Sequence, residues 1–109
     1  MASFILMIES NCSDPAKEAE FNEWYTNVHV QDVLKTGIVK RATRYEATAP
    51  PAEGRGKFVA IYEIESNDIA ATMEEYKSKM KVIAEGRFSA LMKPACGGTF
   101  KKLASFEKK

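Results

Sequence analysis

The chain has 109 residues, 45% hydrophobic and 28% charged, with 16 basic against 15 acidic side chains and a formal net charge of +1. That length fits one domain, residues 1–109, and the even charge balance argues against a nucleic-acid surface. The longest apolar run, Phe4–Ile8, falls far short of the roughly 20 residues of a spanning helix. A signal peptide's basic region and apolar core are also missing, so the expected location is the cytoplasm.

Phe4–Ile8 is apolar at every position, as in a strand covered on both faces. Ser10–Pro15 reads as a turn in which Asp14 caps a helix and Pro15 takes its first position. Phe21, Trp24, Tyr25 and Val28 then recur at helical period, with His29 and Asp32 on the flanks of that stripe. Gly37 is a stop signal, and the helix is expected to end or loosen between His29 and Lys35.

From Ile38 the period becomes two, with Val39, Arg41, Thr43 and Tyr45 on one face and Ile38, Lys40, Ala42 and Arg44 on the other. Residues 49–56 form a Pro- and Gly-rich loop, expected to have a mobile tip, and Phe58–Ile64 returns as the second strand of a hairpin. Ser66-Asn67-Asp68 offers a cap for a helix carrying Ile69, Met73, Tyr76, Met80 and Ile83, closed by Gly86. Arg87–Lys93 is ambiguous between a short helical turn and coil, Cys96-Gly97-Gly98 reads as a turn or bulge, and Thr99–Phe106 as the last strand.

The resulting order, β-α-β-β-α-β, is an α+β ferredoxin-like pattern, a four-stranded antiparallel sheet with two helices on one face. The other sheet face has no cover of its own, and a second copy packed sheet to sheet is the economical solution.

Chemistry centres on His29, the only histidine. It reads either as an acid–base group or as a buried imidazole that bonds a backbone carbonyl and fixes the helix end. Asp32, three residues on, could orient it or be a surface carboxylate, and Tyr25 and Tyr45 could donate to a substrate oxygen or serve as core. Trp24, Phe21 and Tyr62 would wall a flat aromatic ligand or simply pack. Arg44 could hold an anion, although an arginine here, Arg41 or Arg44, could equally pair with Glu46 or Glu63. Cys12 and Cys96 form no ligand pattern and read as free thiols, and no motif implies a metal, flavin or haem cofactor. Gly54-Arg55-Gly56-Lys57 lacks the rest of a phosphate loop.

The segment FNEWYTNVH, followed by an apolar stretch, Gly37 and a strand with Arg44-Tyr45, resembles the EthD-like group of dimeric α+β barrel proteins. Relatives of that group often carry Leu-Pro where this chain has Val30-Gln31, so the helix could run on past His29. The resemblance implies a cytoplasmic homodimer, joined through the sheet face, with a small cavity between sheet and helices. Its wider superfamily includes cofactor-independent monooxygenases, polyketide cyclases and dehydratases. The expectation is therefore binding of a small hydrophobic or aromatic molecule, with His29, Asp32 and Tyr45 as acid–base group and helpers. Trp24, Tyr25, Phe21, Tyr62 and Arg44 would contact the ligand. The alternative is a non-catalytic binding, stress-related or accessory dimer with a structural histidine.

Overall fold

A computed structural model describes all residues, 1–109. Strand β1 (Ala2–Cys12) leads through a short 3-10 turn (Pro15–Lys17) into a helix of three parts: α1 (Glu18–Trp24), a π-helical turn (Tyr25–His29) and α2 (Val30–Lys35). Strands β2 (Val39–Glu46) and β3 (Phe58–Ser66), helix α3 (Ile69–Ile83) and strand β4 (Met92–Lys101) complete the chain. The sheet order is β2-β3-β1-β4, every pairing is antiparallel, and the fold is ferredoxin-like. No helix is long and apolar enough to cross a membrane.

Strand alternation decides which side chains meet the helices. Leu6, Phe58, Ala60, Tyr62 and Ile64 point inward and are buried against Phe21, Tyr25, Val30 and Val33. Phe4 and Ile8 pack on the same side, as do Ile69, Met73, Tyr76 and Met80 of α3. The caps follow the sequence: Asp14 Oδ1 accepts from the Ala16 N–H at 3.0 Å, and Asp68 Oδ1 accepts from Ala71 N–H at 3.2 Å.

Several boundaries differ from the sequence reading. Strand β1 runs on to Cys12, so Ser10–Cys12 extends the sheet rather than turning. Strand β4 begins at Met92 and ends at Lys101, several residues earlier at both ends than the Thr99–Phe106 expected. Pro94 is tolerated because β4 is an edge strand that needs no donor on its outer side. The expected irregularity near Cys96 is present as a bulge: Glu9 faces Cys96 and Ser10 faces Pro94, leaving Ala95 without an opposite number. Gly97 sits inside the strand, where a Cβ would lie 2.7 Å from Met7 O. Leu103 and Phe106, expected in the strand, lie in an exposed tail.

A second bulge, between Val39 and Arg41, changes a face assignment. Val39 stands opposite Ile64 and is buried with the helices, whereas Arg41, Thr43 and Tyr45 stand opposite Glu63, Ile61 and Val59 on the open side. The four residues expected on one face are thus split. The loop after β2 is fastened on its return arm. Arg55 Nε and Nη2 donate to the buried Glu9 carboxylate at 2.8–3.1 Å, and Gly56 N–H adds a bond of 3.0 Å. A Cβ on Gly56 would lie 2.4 Å from Ser10 N, so the loop lies directly on β1. Those donors hold Glu9 at about pKa 2.

Candidate functional site

The π turn is what builds the site. In a regular helix the stripe Phe21, Trp24, Tyr25, Val28 would continue inward and leave His29 and Asp32 on its flanks. One extra residue per turn rotates everything after it by roughly 100°. The buried positions become Phe21, Tyr25, His29, Val30, Asp32 and Val33, while Trp24 and Val28 are only half-buried. The helix loosens before His29 rather than after it, and then continues to Lys35 as the missing proline allows.

His29 therefore sits among three rings. Its imidazole stacks on Trp24 with centroids 5.1 Å apart and planes 19° apart, and meets Tyr25 edge-on at 4.9 Å. Phe88, which follows α3, approaches to 5.2 Å from His29 and 6.1 Å from Trp24. The residue is 8% exposed. Neither imidazole nitrogen has a hydrogen-bond partner within the chain, and neither is among the side-chain atoms sealed from solvent without one. Burial, with a contribution from Arg44, drives the pKa down to about 4, against the opposing pull of Asp32. At neutral pH the ring is uncharged and has a lone pair to offer.

Asp32 is buried close by, but its carboxylate is committed elsewhere. Its Oδ2 accepts from Arg87 Nε at 2.7 Å, and Lys35 Nζ stands 3.6 Å from Oδ1. These cations hold it below the usual carboxylate range despite burial. It acts on His29 through its charge and makes no bond to the ring. Arg87 also contributes its carbonyl oxygen, which accepts from Trp24 Nε1 at 2.8 Å.

Tyr45 does not join this group. It is more than half exposed and lies on the opposite side of the sheet, so a catalytic partnership with His29 inside one chain is not what the structure shows. Arg44, its neighbour, points to the helices: Nη2 donates to Asn22 Oδ1 at 2.8 Å, Nη1 to Thr26 Oγ1 at 3.0 Å, and the guanidinium lies 4.2 Å above the Tyr25 ring. The dull arginine pairing belongs to Arg41, 3.9 Å from Glu63. Phe21 and Tyr62 are enclosed in the core and form its floor rather than a wall open to a ligand. The Tyr25, Tyr62 and Ser10 hydroxyls are buried beside one another, and burial raises the pKa of both tyrosines.

Arg87 and Phe88 escaped the sequence reading. They lie in irregular chain between a glycine stop and an edge strand, where no periodicity points at a neighbour. No three His, Cys, Asp or Glu side chains converge as metal ligands would. Two surface recesses lie elsewhere. One, of about 410 Å³, opens on the uncovered sheet face and is lined by Ile5, Ile61, Phe100, Lys40, Glu63 and Glu65 among others. The other, of about 470 Å³, lies beside residues 46–51 and Lys57.

Comparison with known proteins places residues 3–94 in a family model described as a domain of unknown function (DUF4286). A curated relative, core atranone cluster (CAC) protein 1 of Stachybotrys chlorohalonatus, is 33% identical over 48 residues, 44% of this chain. That match spans only 20% of the relative's length. Among solved structures, HapK from Hahella chejuensis superposes with a TM-score of 0.69 at 18% identity, covering 97% of this chain and 98% of HapK. A protein from Shewanella loihica PV-4, described as a candidate monooxygenase, gives 0.60 at 15% identity and 97% coverage of both chains. An ethyl tert-butyl ether D (EthD) family protein from Bacillus halodurans C-125 gives 0.58 at 15% identity, covering 94% of this chain and all of that one. The likeness to EthD-like proteins read from the first helix is thus borne out in the fold of the whole chain.

Proposed function

The chain belongs to the family described as a domain of unknown function (DUF4286), and from that footing we propose that it is a homodimer binding a small, flat, hydroxyl-bearing aromatic molecule at His29. The observation that carries this reading is the unpartnered, uncharged imidazole enclosed by Trp24, Tyr25 and Phe88. Buried polar groups normally find a partner, and one that has none while still touching solvent is poised to take a donor from outside. The alternative, an imidazole locked to a backbone carbonyl, lacks its bond.

Magnitudes limit the chemistry. An ordinary phenol titrates near 10, so full proton transfer to a group near 4 is uphill by about 8 kcal/mol. His29 is therefore first a hydrogen-bond acceptor for a ligand hydroxyl. Proton removal is within its reach for a much more acidic enol, as in a vinylogous acid, and becomes easier if the ring gains solvent. That step leaves the proton on the imidazole and the charge on the enolate oxygen, from which cofactor-independent oxygenation, cyclisation or dehydration can begin. Asp32 would favour the imidazolium by its charge, and Arg44 and Tyr25 line the inner side. A second reading, a non-catalytic binding or accessory dimer, is favoured by the tight packing of rings around His29.

The uncovered sheet face supports the dimer. Ile5, Ile61 and Phe100 lie there with no covering element of their own chain, and the Lys40–Glu65 and Arg41–Glu63 pairs flank them. Sedimentation should give twice the chain mass, falling to the monomer with retained helix content for Ile61→Glu.

The binding claim is tested with 1-naphthol against wild type and His29→Ala. Binding that falls about tenfold or more in a stably folded variant supports the site. Equal binding, or a variant that is destabilised with unchanged affinity, returns His29 to packing.

A further inference from the structure

Resting on the proposed ligand site, we infer that Gly86–Ser89 is a hinged cover over the His29 cage and that Phe88 is the side chain a ligand's ring displaces. Phe88 is unusual among the three rings around His29. It packs beside both His29 and Trp24, yet is 60% exposed, so it gains little from burial where it lies and loses little by swinging out. Its phenyl occupies the very place where a flat aromatic would meet the imidazole.

The segment has the parts of a cover. Its near end is Gly86, whose φ of +71° suits glycine and ends the helical run, with Arg87 N–H bonded back to Ala84 O at 3.0 Å. Its far end is pinned to the turn that follows β1, where Ser13 N–H donates to Leu91 O at 2.8 Å. Ala90 O beside it accepts from Ser13 Oγ at 3.3 Å, and within Gly86–Ser89 two bonds tie the segment to the first helix, both made by Arg87. Its Nε donates to Asp32 Oδ2, and its carbonyl accepts from Trp24 Nε1. Those two partners bracket His29 in sequence, five residues before and three after. One residue thus fastens the cover to both flanks of the histidine it closes over.

The latch also explains why a carboxylate is buried at Asp32 without bonding the imidazole. Arg87 is a positioning residue in this scheme, acting on the ligand only through the segment it holds. Phe88 sets what fits, since a ligand must replace an aromatic ring against imidazole and indole.

Trp24 is the only tryptophan, so its fluorescence reports on the cage without labels. The test compares wild type, Phe88→Ala and Arg87→Gln by acrylamide quenching of Trp24 and by calorimetric titration with 1-naphthol. The cover predicts about twofold or greater quenching in both variants, and 1-naphthol affinity raised about fivefold in Phe88→Ala, which has no ring to displace. Quenching equal to wild type in Phe88→Ala, or affinity equal or weaker there, overturns the inference. Because Phe88 is mostly exposed, this variant stays informative should Arg87→Gln fail to fold. If no form of the protein binds 1-naphthol, the ligand-site reading fails, and with it the role given to Phe88. The quenching comparison still decides whether the segment is a latched cover.

Discussion

The two helical layers lie on the same side of the sheet and differ in almost every physical respect. Helix α3 is regular from Ile69 to Ile83, capped by Asp68, and carries an apolar stripe at an even spacing, yet none of its residues is fully buried. The helix from Glu18 to Lys35 is broken by a π turn and buries Phe21, Tyr25, His29, Val30, Asp32 and Val33. Regular periodicity is what a helix needs in order to lean on a sheet. The irregular turn is what brings a histidine and a carboxylate inside, as single π turns within α-helices do at functional positions.

Substitutions in the two helices should differ accordingly. The largest effect is expected from truncating the two apolar stripes. Phe21→Ala should lose about 4 kcal/mol in urea unfolding, since the ring is wholly enclosed by Trp24, Tyr25 and Phe58. Met80→Ala, on the half-buried stripe of α3, should lose less than about 2 kcal/mol. Equal losses would mean that the layers carry the core alike.

The next effect is a pH dependence confined to the first helix. The folded pKa of His29 is lowered to about 4 from 6.5, so the unfolded chain binds the proton more readily. The stabilisation is complete above pH 6.5 and is lost as pH falls toward 4, by up to about 3 kcal/mol. His29→Gln should flatten the stability profile in that window and leave the loss below pH 4.5, where Glu9 takes up a proton in the unfolded chain while the folded carboxylate, held at about 2, stays ionised.

Smaller still is the contrast between charged pairs. Asp32→Asn weakens a buried charged bond to Arg87 and should cost about 2 kcal/mol. Glu75→Gln in α3, whose partner Lys79 is 3.1 Å away in solvent, should change stability by less than about 0.5 kcal/mol.

The sequence made α3, its caps and the hairpin legible because each rests on local spacing. The order of elements followed, and with it the ferredoxin-like sheet. What stayed hidden depends on single-residue shifts. A bulge at Lys40 moves Val39 to the core and leaves Tyr45 on the far side, and a π turn rotates His29 inward. Neither leaves a mark in hydrophobic periodicity, because one extra residue looks like any other. Trp24, Tyr25 and His29 lie together because i, i+1 and i+5 along one helix cannot be far apart. Asp32 was placed beside the site, but its partner, Arg87, is 55 residues away in irregular chain, beyond any local rule.

Everything proposed for the site depends on His29 being an enclosed, neutral and unpartnered imidazole behind a ring that can leave. NMR titration of its ring protons tests this most directly, because no other histidine contributes a signal. The expected result is an apparent pKa near 4 that shifts when 1-naphthol is added. A pKa near 6.5 that 1-naphthol does not move would contradict it.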